Sequence, residues 1–232
     1  DIITASAGTS NLRLGVNAGN SIASGGNYNV VLGDEAGTAI TTGDNNVIVG
    51  YQAGDALDAG GNNVAIGFRA LSAEDGHGTN IAIGSDALKV QNAGTNAYNI
   101  AIGHDAGKAV STGVKNTLIG GSAGDSLTTN GLNVAVGYGA LSTEDTGSRN
   151  VAIGVSALSS QNSDTTNYNV AVGYNSGAAI TTGINNTLIG GLAGDSLTDA
   201  DRNVAVGYGA LSADTLGSRS VAIGQAALTS QN

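Results

Sequence analysis

The chain has 232 residues, of which 38 are glycine, and it contains no proline, cysteine, methionine or tryptophan. Collagen is excluded because it needs abundant proline and glycine at every third residue, and the lack of cysteine excludes disulfides and thiolate metal sites. The formal net charge is −10, from 8 basic and 18 acidic residues. This charge argues against nucleic-acid binding, which depends on Lys and Arg neutralising phosphates. No apolar run is long enough to cross a bilayer.

Residues 1–10 are predicted to be a lead-in segment, and because Asp1 rather than Met opens the chain, we interpret it as part of a longer protein. From residue 11 to residue 232 the pattern N-[V/I]-A-[I/V]-G-x-x-A recurs thirteen times with few deviations. From Asn29 onward the repeat lengths follow the series 17, 17, 17 and 19, which gives a superperiod of 70 residues. Disordered chain has no reason to keep this register, so the sequence predicts one continuous repeat array. The repeats begin at Asn11, Asn29, Asn46, Asn63, Asn80, Asn99, Asn116, Asn133, Asn150, Asn169, Asn186, Asn203 and Ser220.

Each repeat is too short and too rich in glycine and asparagine to hold helices, and its first five residues predict a short strand closed by a turn glycine. We number positions from the asparagine, which is position 0. Positions +1 and +3 are almost always Val, Ile or Leu. Since strand side chains alternate between faces, we expect +1 and +3 to point inward and +2 to point outward. The invariant glycine at +4 is expected to take a positive φ at the corner.

The sizes of the residues at positions +8 and +11 are correlated. Position +8 is either Leu or Gly, and +11 is a large aliphatic residue wherever +8 is Gly. Where +8 is Leu, +11 is a polar residue. This compensation indicates that one large side chain per repeat fills a packed interior from either position. The polar residues at +11 are Glu74, Gln91, Glu144, Gln161, Asp214 and Gln231.

These features predict an all-β fold, a parallel β-solenoid of about thirteen coils of 17–19 residues. Like positions of successive coils would stack at about 4.8 Å. The asparagines would then form a ladder in which each side-chain amide bonds to the next coil.

Because the core of each coil is thin, we expect the chain to associate with itself. An apolar stripe along the outside of a solenoid is a suitable association surface, and position +2, predicted to face outward, is apolar in every repeat after the first. The predicted interface residues are Val31, Ile48, Ala65, Ala82, Ala101, Leu118, Ala135, Ala152, Ala171, Leu188, Ala205 and Ala222.

The repeat N-V-A-I-G-x-x-A resembles the head repeat of trimeric autotransporter adhesins, in which three chains each form a left-handed parallel β-roll. It is also similar to arrays in trimeric fibre proteins of phages and bacteria. The resemblance covers residues 11 to 232. The adhesin repeat is shorter and usually has Ser between Asn and Val, so the resemblance implies the architecture more than the adhesin branch. It implies a left-handed homotrimer, and a fibre shaft fits it as well as an adhesin head.

Residues that carry chemistry are few, and the sequence predicts no catalytic, cofactor-binding or metal-binding site. His77 and His104 lie in different coils at different positions and have no partner histidine at metal spacing. The acidic pairs Glu74-Asp75 and Glu144-Asp145 recur 70 residues apart, too far for the six or more converging oxygens that calcium needs. We interpret these acids as solvated loop residues.

Aromatic residues are the better candidates for binding, because an exposed tyrosine ring can stack on a sugar. Several share position +5, just beyond the corner glycine, although other residue types interrupt the series. The alternative is that these rings cover the corner or contact a neighbouring subunit. The residues are Tyr51, Phe68, Tyr138, Tyr174 and Tyr208.

Together these observations favour a non-catalytic structural or adhesive segment of an extracellular or virion fibre, which holds or forms a surface-attachment element. Its expected partners are two further copies of itself and a cell-surface glycan or protein, with no nucleic acid and no membrane insertion by this segment. Two alternatives remain. An ice-binding solenoid needs a regular Thr grid, but pairs such as Thr41-Thr42 and Thr181-Thr182 occur in one coil of four. A polysaccharide-cleaving β-helix needs convergent acids in a cleft.

Overall fold

The computed structural model describes residues 7–229, and the chain divides into two compact units, residues 1–115 and 116–232. The described part contains thirteen three-residue strands, each at positions +1 to +3 of its repeat, and no helix that could span a membrane. The parallel β-solenoid predicted from the repeats is therefore confirmed. The strands of the first unit are β1 (Leu12–Leu14), β2 (Val30–Leu32), β3 (Val47–Val49), β4 (Val64–Ile66), β5 (Ile81–Ile83) and β6 (Ile100–Ile102). Those of the second are β7 (Thr117–Ile119), β8 (Val134–Val136), β9 (Val151–Ile153), β10 (Val170–Val172), β11 (Thr187–Ile189), β12 (Val204–Val206) and β13 (Val221–Ile223).

Within each unit, consecutive strands pair in parallel, and identical repeat positions lie side by side. Ile48 pairs with Ala65 in the first unit, and Ala135 pairs with Ala152 in the second. A strand of three residues supplies few ladder bonds, so the backbone at the corners also bonds between coils. The Gly50 N–H, for example, donates to the carbonyl of Leu32 at 2.8 Å.

The strand faces are the reverse of the sequence-based expectation. In β3, Ile48 at +2 is fully buried, whereas Val47 and Val49 at +1 and +3 are half-buried. The same pattern holds in β8, where Ala135 is fully buried between half-buried Val134 and Val136. Position +2 therefore points into the coil, and the aliphatic positions +1 and +3 lie on the outside.

The interface predicted at position +2 is consequently wrong, because a side chain with essentially no exposed surface in the single chain cannot contact a second copy. The physical reason is volume. The strand side of the interior has room for alanine at +2 where Leu occupies +8, and for a larger residue such as Ile48 or Leu118 in repeats with Gly at +8. The buried residues are Val31, Ile48, Ala65, Ala82, Ala101, Leu118, Ala135, Ala152, Ala171, Leu188, Ala205 and Ala222.

The exchange between +8 and +11 is confirmed by the packing. Leu71 and Leu141 at +8, and Leu57 and Leu127 at +11, are all fully buried. A methyl group added to Gly124 at +8 would lie 2.8 Å from both the Leu127 and the Leu118 side chains. Both positions therefore compete for the same interior space, and they share it with position +2. Gln231, the last polar residue assigned to this pattern, lies outside the described residues.

The corner glycine at +4 has the predicted positive φ. Gly50 and Gly137 have φ values of 132° and 136°. An added Cβ at Gly137 would lie 2.4 Å from the carbonyl oxygen of Gly154 in the next coil. The position thus requires glycine for two reasons, the backbone conformation and the close approach of the neighbouring coil.

The predicted asparagine ladder is also present. The donor to the side-chain oxygen is the backbone N–H of the residue that begins the next coil, as the pair Asn133 and Asn150 shows. The Asn133 Oδ1 accepts the backbone N–H of Asn150 at 3.0 Å, and its Nδ2 donates to the carbonyl of Gly147 at 3.0 Å. The first bond joins two coils, and the second fixes the residue 14 positions later in the chain. One buried side chain thereby satisfies two backbone groups that water cannot reach.

We expect Gly137→Ala to lower the free energy of unfolding by about 2–6 kcal/mol. Backbone strain at a positive φ costs about 1–3 kcal/mol, and the clash with Gly154 costs about the same again. The measurement is urea denaturation monitored by circular dichroism.

Gly139→Ala in the same coil is the matched control. Gly139 has a φ of 62°, a value that other residue types adopt at +6, and an added Cβ would meet nothing closer than 4.0 Å. Gly139→Ala should lower the free energy of unfolding by about 1 kcal/mol or less, because the lower entropy of the unfolded chain offsets part of the backbone strain. Equal effects of the two variants would contradict the role of coil-to-coil contact at +4.

Candidate functional site

The outward face of the strands is the most regular apolar surface in each unit. Its side chains at +1 and +3 are in register from coil to coil, as in the pairs Val134↔Val151 and Val136↔Ile153. Most are half-buried by their neighbours, but Ile153 and Ile189 are 38% and 40% exposed. Within each unit, we call the +1 and +3 side chains of its strands the outer strand face; these residues are Val, Ile or Leu except for Thr117 and Thr187. Sequence reasoning missed it because alternation alone does not say which face of a strand is internal.

The position +5 aromatics lie beside this face and are exposed, as their proposed binding role requires. Tyr138, Tyr174 and Tyr208 are at least 60% exposed. Tyr51 and Phe68, which belong to adjacent coils, stack on each other with ring centroids 6.0 Å apart and an interplanar angle of 13°. Ligand stacking by these five residues stays a prediction.

The acids at +11 are not solvated, so that part of the sequence interpretation is wrong. Glu74 and Glu144 are fully buried, and Asp214 is 1% exposed. They are buried because +11 faces the coil interior in every type of repeat. Where an acid occupies +11, its carboxylate accepts a backbone N–H of the following turn instead of filling the core.

Glu144 shows how such a buried carboxylate is stabilised. Its Oε1 accepts the N–H groups of Gly147 at 2.6 Å and Ser163 at 3.4 Å, and its Oε2 accepts Asn167 Nδ2 at 3.3 Å. Burial is the largest influence on Glu144 and raises the pKa of its carboxyl above the ordinary value of 4.5, although the backbone donors oppose this shift. The carboxylate therefore acts as a structural acceptor that bridges two coils.

The histidines lie in different settings. His104 is largely exposed, with Nδ1 3.5 Å from an Asp105 oxygen. The Nδ1 of His77 lies 3.9 Å from Oε1 of the buried Glu74. Among residues 7–229, the triplet Glu74, Asp75 and His77 is the one group of acids and histidines whose ligand atoms lie close enough together to hold a metal ion.

The threonines that an ice-binding surface would use are bonded to acids of the next coil. The hydroxyl of Thr41 donates to Asp58, and those of Thr181 and Thr182 donate to Asp199 at 2.7 and 2.9 Å. These bonds lower the pKa of Asp199. The hydroxyls thus serve coil stacking in the structure.

No family model, curated protein or solved structure matches this chain.

Glu144→Gln should change how stability depends on pH. Since the pKa of Glu144 is raised in the folded state, the folded protein binds the proton more readily than the unfolded chain does. Stability therefore falls as pH rises from about 4.5 through the raised pKa. Gln keeps an acceptor for Gly147 and can donate to the Asn167 Oδ1, which has no partner within the described part of the chain.

We expect Glu144→Gln to be at least as stable as the wild type at neutral pH, with the difference disappearing below the ordinary pKa of the acid. Urea denaturation at several values from about pH 4 to about pH 8 measures this. If the difference in the free energy of unfolding between variant and wild type stays constant across this pH range, the raised pKa of Glu144 is contradicted.

Proposed function

We propose that this chain is a non-catalytic segment of a homotrimeric extracellular fibre, which holds or forms a surface-attachment element. The observation that carries the proposal is the outer strand face, an in-register series of Val, Ile and Leu side chains on the outside of the coils, interrupted only by Thr117 and Thr187 within the described strands. Its role replaces the one first assigned to position +2. The resemblance of the repeat to trimeric fibre and adhesin arrays supports the choice of a trimer.

Self-association would complete the burial of this face. Val136 and Ile153, neighbours on β8 and β9, retain exposed surface in the single chain. Burying apolar surface contributes roughly 25 cal/mol for each Å² removed from water, and the regular repeat multiplies a small gain per coil. Contiguous exposed apolar surface is also typical of protein interfaces.

The negative charge and the exposed tyrosines fit an attachment element. A net charge of −10 keeps association confined to the uncharged face, because like charges elsewhere on the surface repel. The rings of Tyr138, Tyr174 and Tyr208 offer apolar faces and polar tips for a glycan.

The association is tested by the mass in solution of the wild type and of Val136→Asp/Ile153→Asp. The wild type should have about three times the chain mass of 22.5 kDa, and the double variant should run as a monomer, because desolvating two charges per chain opposes association. Light scattering coupled to size-exclusion chromatography gives the mass, and circular dichroism checks folding.

Ser160→Asp/Asn162→Asp is the matched control. It adds the same charge to exposed loop residues of the same coil as Ile153, away from the strand. This variant should remain trimeric. A monomeric wild type, or a folded Val136→Asp/Ile153→Asp variant of unchanged mass, would refute the interface.

The attachment role is tested on an immobilised glycan panel. Tyr138→Ala/Tyr208→Ala should lose at least about 10-fold in affinity, because removing stacked rings costs on the order of 1–3 kcal/mol in other stacking sites. Tyr168→Asn is the control, since it removes a ring outside position +5 and Asn185 holds the same position with a similar φ. Equal binding by both variants would contradict the role of these rings.

A further inference from the structure

The position occupied by Glu144 recurs one superperiod earlier as Glu74, and two of the differences between the blocks change the groups beside the carboxylate. Glu144 has Gly147 and Asn167 beside it, whereas the equivalent residues in the first block are His77 and Ala97. The chain therefore contains the same buried carboxylate in two environments, one of which serves as an internal reference.

The first difference leaves a carboxylate oxygen unpaired. Ala97 has no donor to replace Asn167 Nδ2, and Glu74 Oε2 has no hydrogen-bond partner among residues 7–229. Glu74 is fully buried, and its Oε1 accepts the His77 N–H at 3.2 Å. Leaving one oxygen of a buried carboxylate unsatisfied is costly, so this arrangement calls for a ligand.

The second difference supplies a metal-binding group. A Cβ at Gly147 would lie 2.4 Å from the Glu144 carboxyl carbon. His77, the counterpart of Gly147, has a Cβ, so the Glu74 side chain cannot take the same position as that of Glu144. Instead, His77 Nδ1 lies 3.9 Å from Glu74 Oε1 and has no hydrogen-bond partner in the described part of the chain. This separation is too long for a hydrogen bond.

One atom each from Glu74, Asp75 and His77 lies within 4.8 Å of the other two. Ligand atoms bound at about 2.0–2.2 Å to one zinc ion are about 3–4 Å apart, so small side-chain rotations suffice. We propose that Glu74, Asp75 and His77 bind one divalent transition-metal ion of the Zn²⁺ class, with Asp75 as the exposed ligand. The imidazole selects this class over Ca²⁺, which takes six or more oxygen ligands.

The ion would pair with the carboxylate of Glu74, as Asn167 pairs with the equivalent carboxylate of Glu144 in the second block. It would tie the turn that carries His77 to the coil interior, as Asn167 ties its own turn to Glu144. The site is independent of the association proposed above, because its three ligands come from one turn of one chain.

The test is calorimetric titration of the tag-free full chain with ZnCl₂, together with the visible absorption of Co²⁺ in the same site. The wild type should bind one zinc per chain. The variant His77→Gly/Ala97→Asn, which places the second block's residues at these two positions, should lose this site while remaining folded. Asp75→Asn should weaken zinc binding at least about 10-fold, the loss seen even for outer partners of metal sites.

His104→Ala is the control, because His104 also neighbours an aspartate but is largely exposed. Unchanged binding by this variant, with binding lost in His77→Gly/Ala97→Asn, supports the site. The proposal is overturned if the wild type takes up no zinc, if His104→Ala lowers uptake as much as His77→Gly/Ala97→Asn does, or if the latter binds zinc as tightly as the wild type. Circular dichroism of each variant separates loss of binding from loss of fold.

Discussion

The fold depends on holding each short coil at a fixed height on its neighbour, and the buried asparagine does this together with the backbone bonds between the corners. A strand of three residues contributes few ladder bonds, so the corners must be fixed by other groups. The Asn46 Oδ1 accepts the backbone N–H of Asn63 at 3.0 Å, while its Nδ2 donates to the Gly60 carbonyl at 2.8 Å. Both bonds form away from water, where an unmatched backbone group is expensive. The glycine at +4 permits the approach, because any side chain there would strike the next coil.

The asparagine bonds differ between repeats of different length. In the 17-residue coils the amide bonds the carbonyl 14 residues later, but Asn80 and Asn150 begin 19-residue coils, and their Nδ2 atoms have no partner among residues 7–229. Each of these coils carries a buried glutamine at +11. Gln91 Oε1 accepts from Asn99 Nδ2 at 2.7 Å, and Gln161 Oε1 accepts from Asn169 Nδ2 at 2.6 Å. The glutamine thus bonds the ladder where two inserted residues have altered the coil.

The sequence was sufficient to predict the coil, its register and the exchange between +8 and +11, because each leaves a periodic trace. It was not sufficient, as we interpreted it, to orient the strand. Alternation defines two faces, and larger residues at +1 and +3 suggested the wrong one as internal. A usable signal was present. Position +2 is alanine in every repeat with Leu at +8, as with Ala65 and Leu71, and the large Leu118 occurs with Gly124. Covariation of this kind indicates shared interior volume, which the contact between these positions confirms.

The buried acids were missed for a related reason, since charge was taken as evidence of exposure. Glu144 stands at +11, where other repeats place Leu127 or Ile180, and a position that is internal in some coils is internal in all of them. Because +11 is internal, a carboxylate at this position needs hydrogen-bond donors. Residues from neighbouring turns provide these donors for Glu144. Glu74 lacks the amide donor that Asn167 provides to Glu144, and the turn after Glu74 carries His77 where the second block has Gly147. A solenoid turns sequence differences between blocks into local chemical differences on a constant backbone, so the departures from the repeat are the places to look for ligands. The regular outer strand face, by contrast, is the surface through which we propose that identical chains associate.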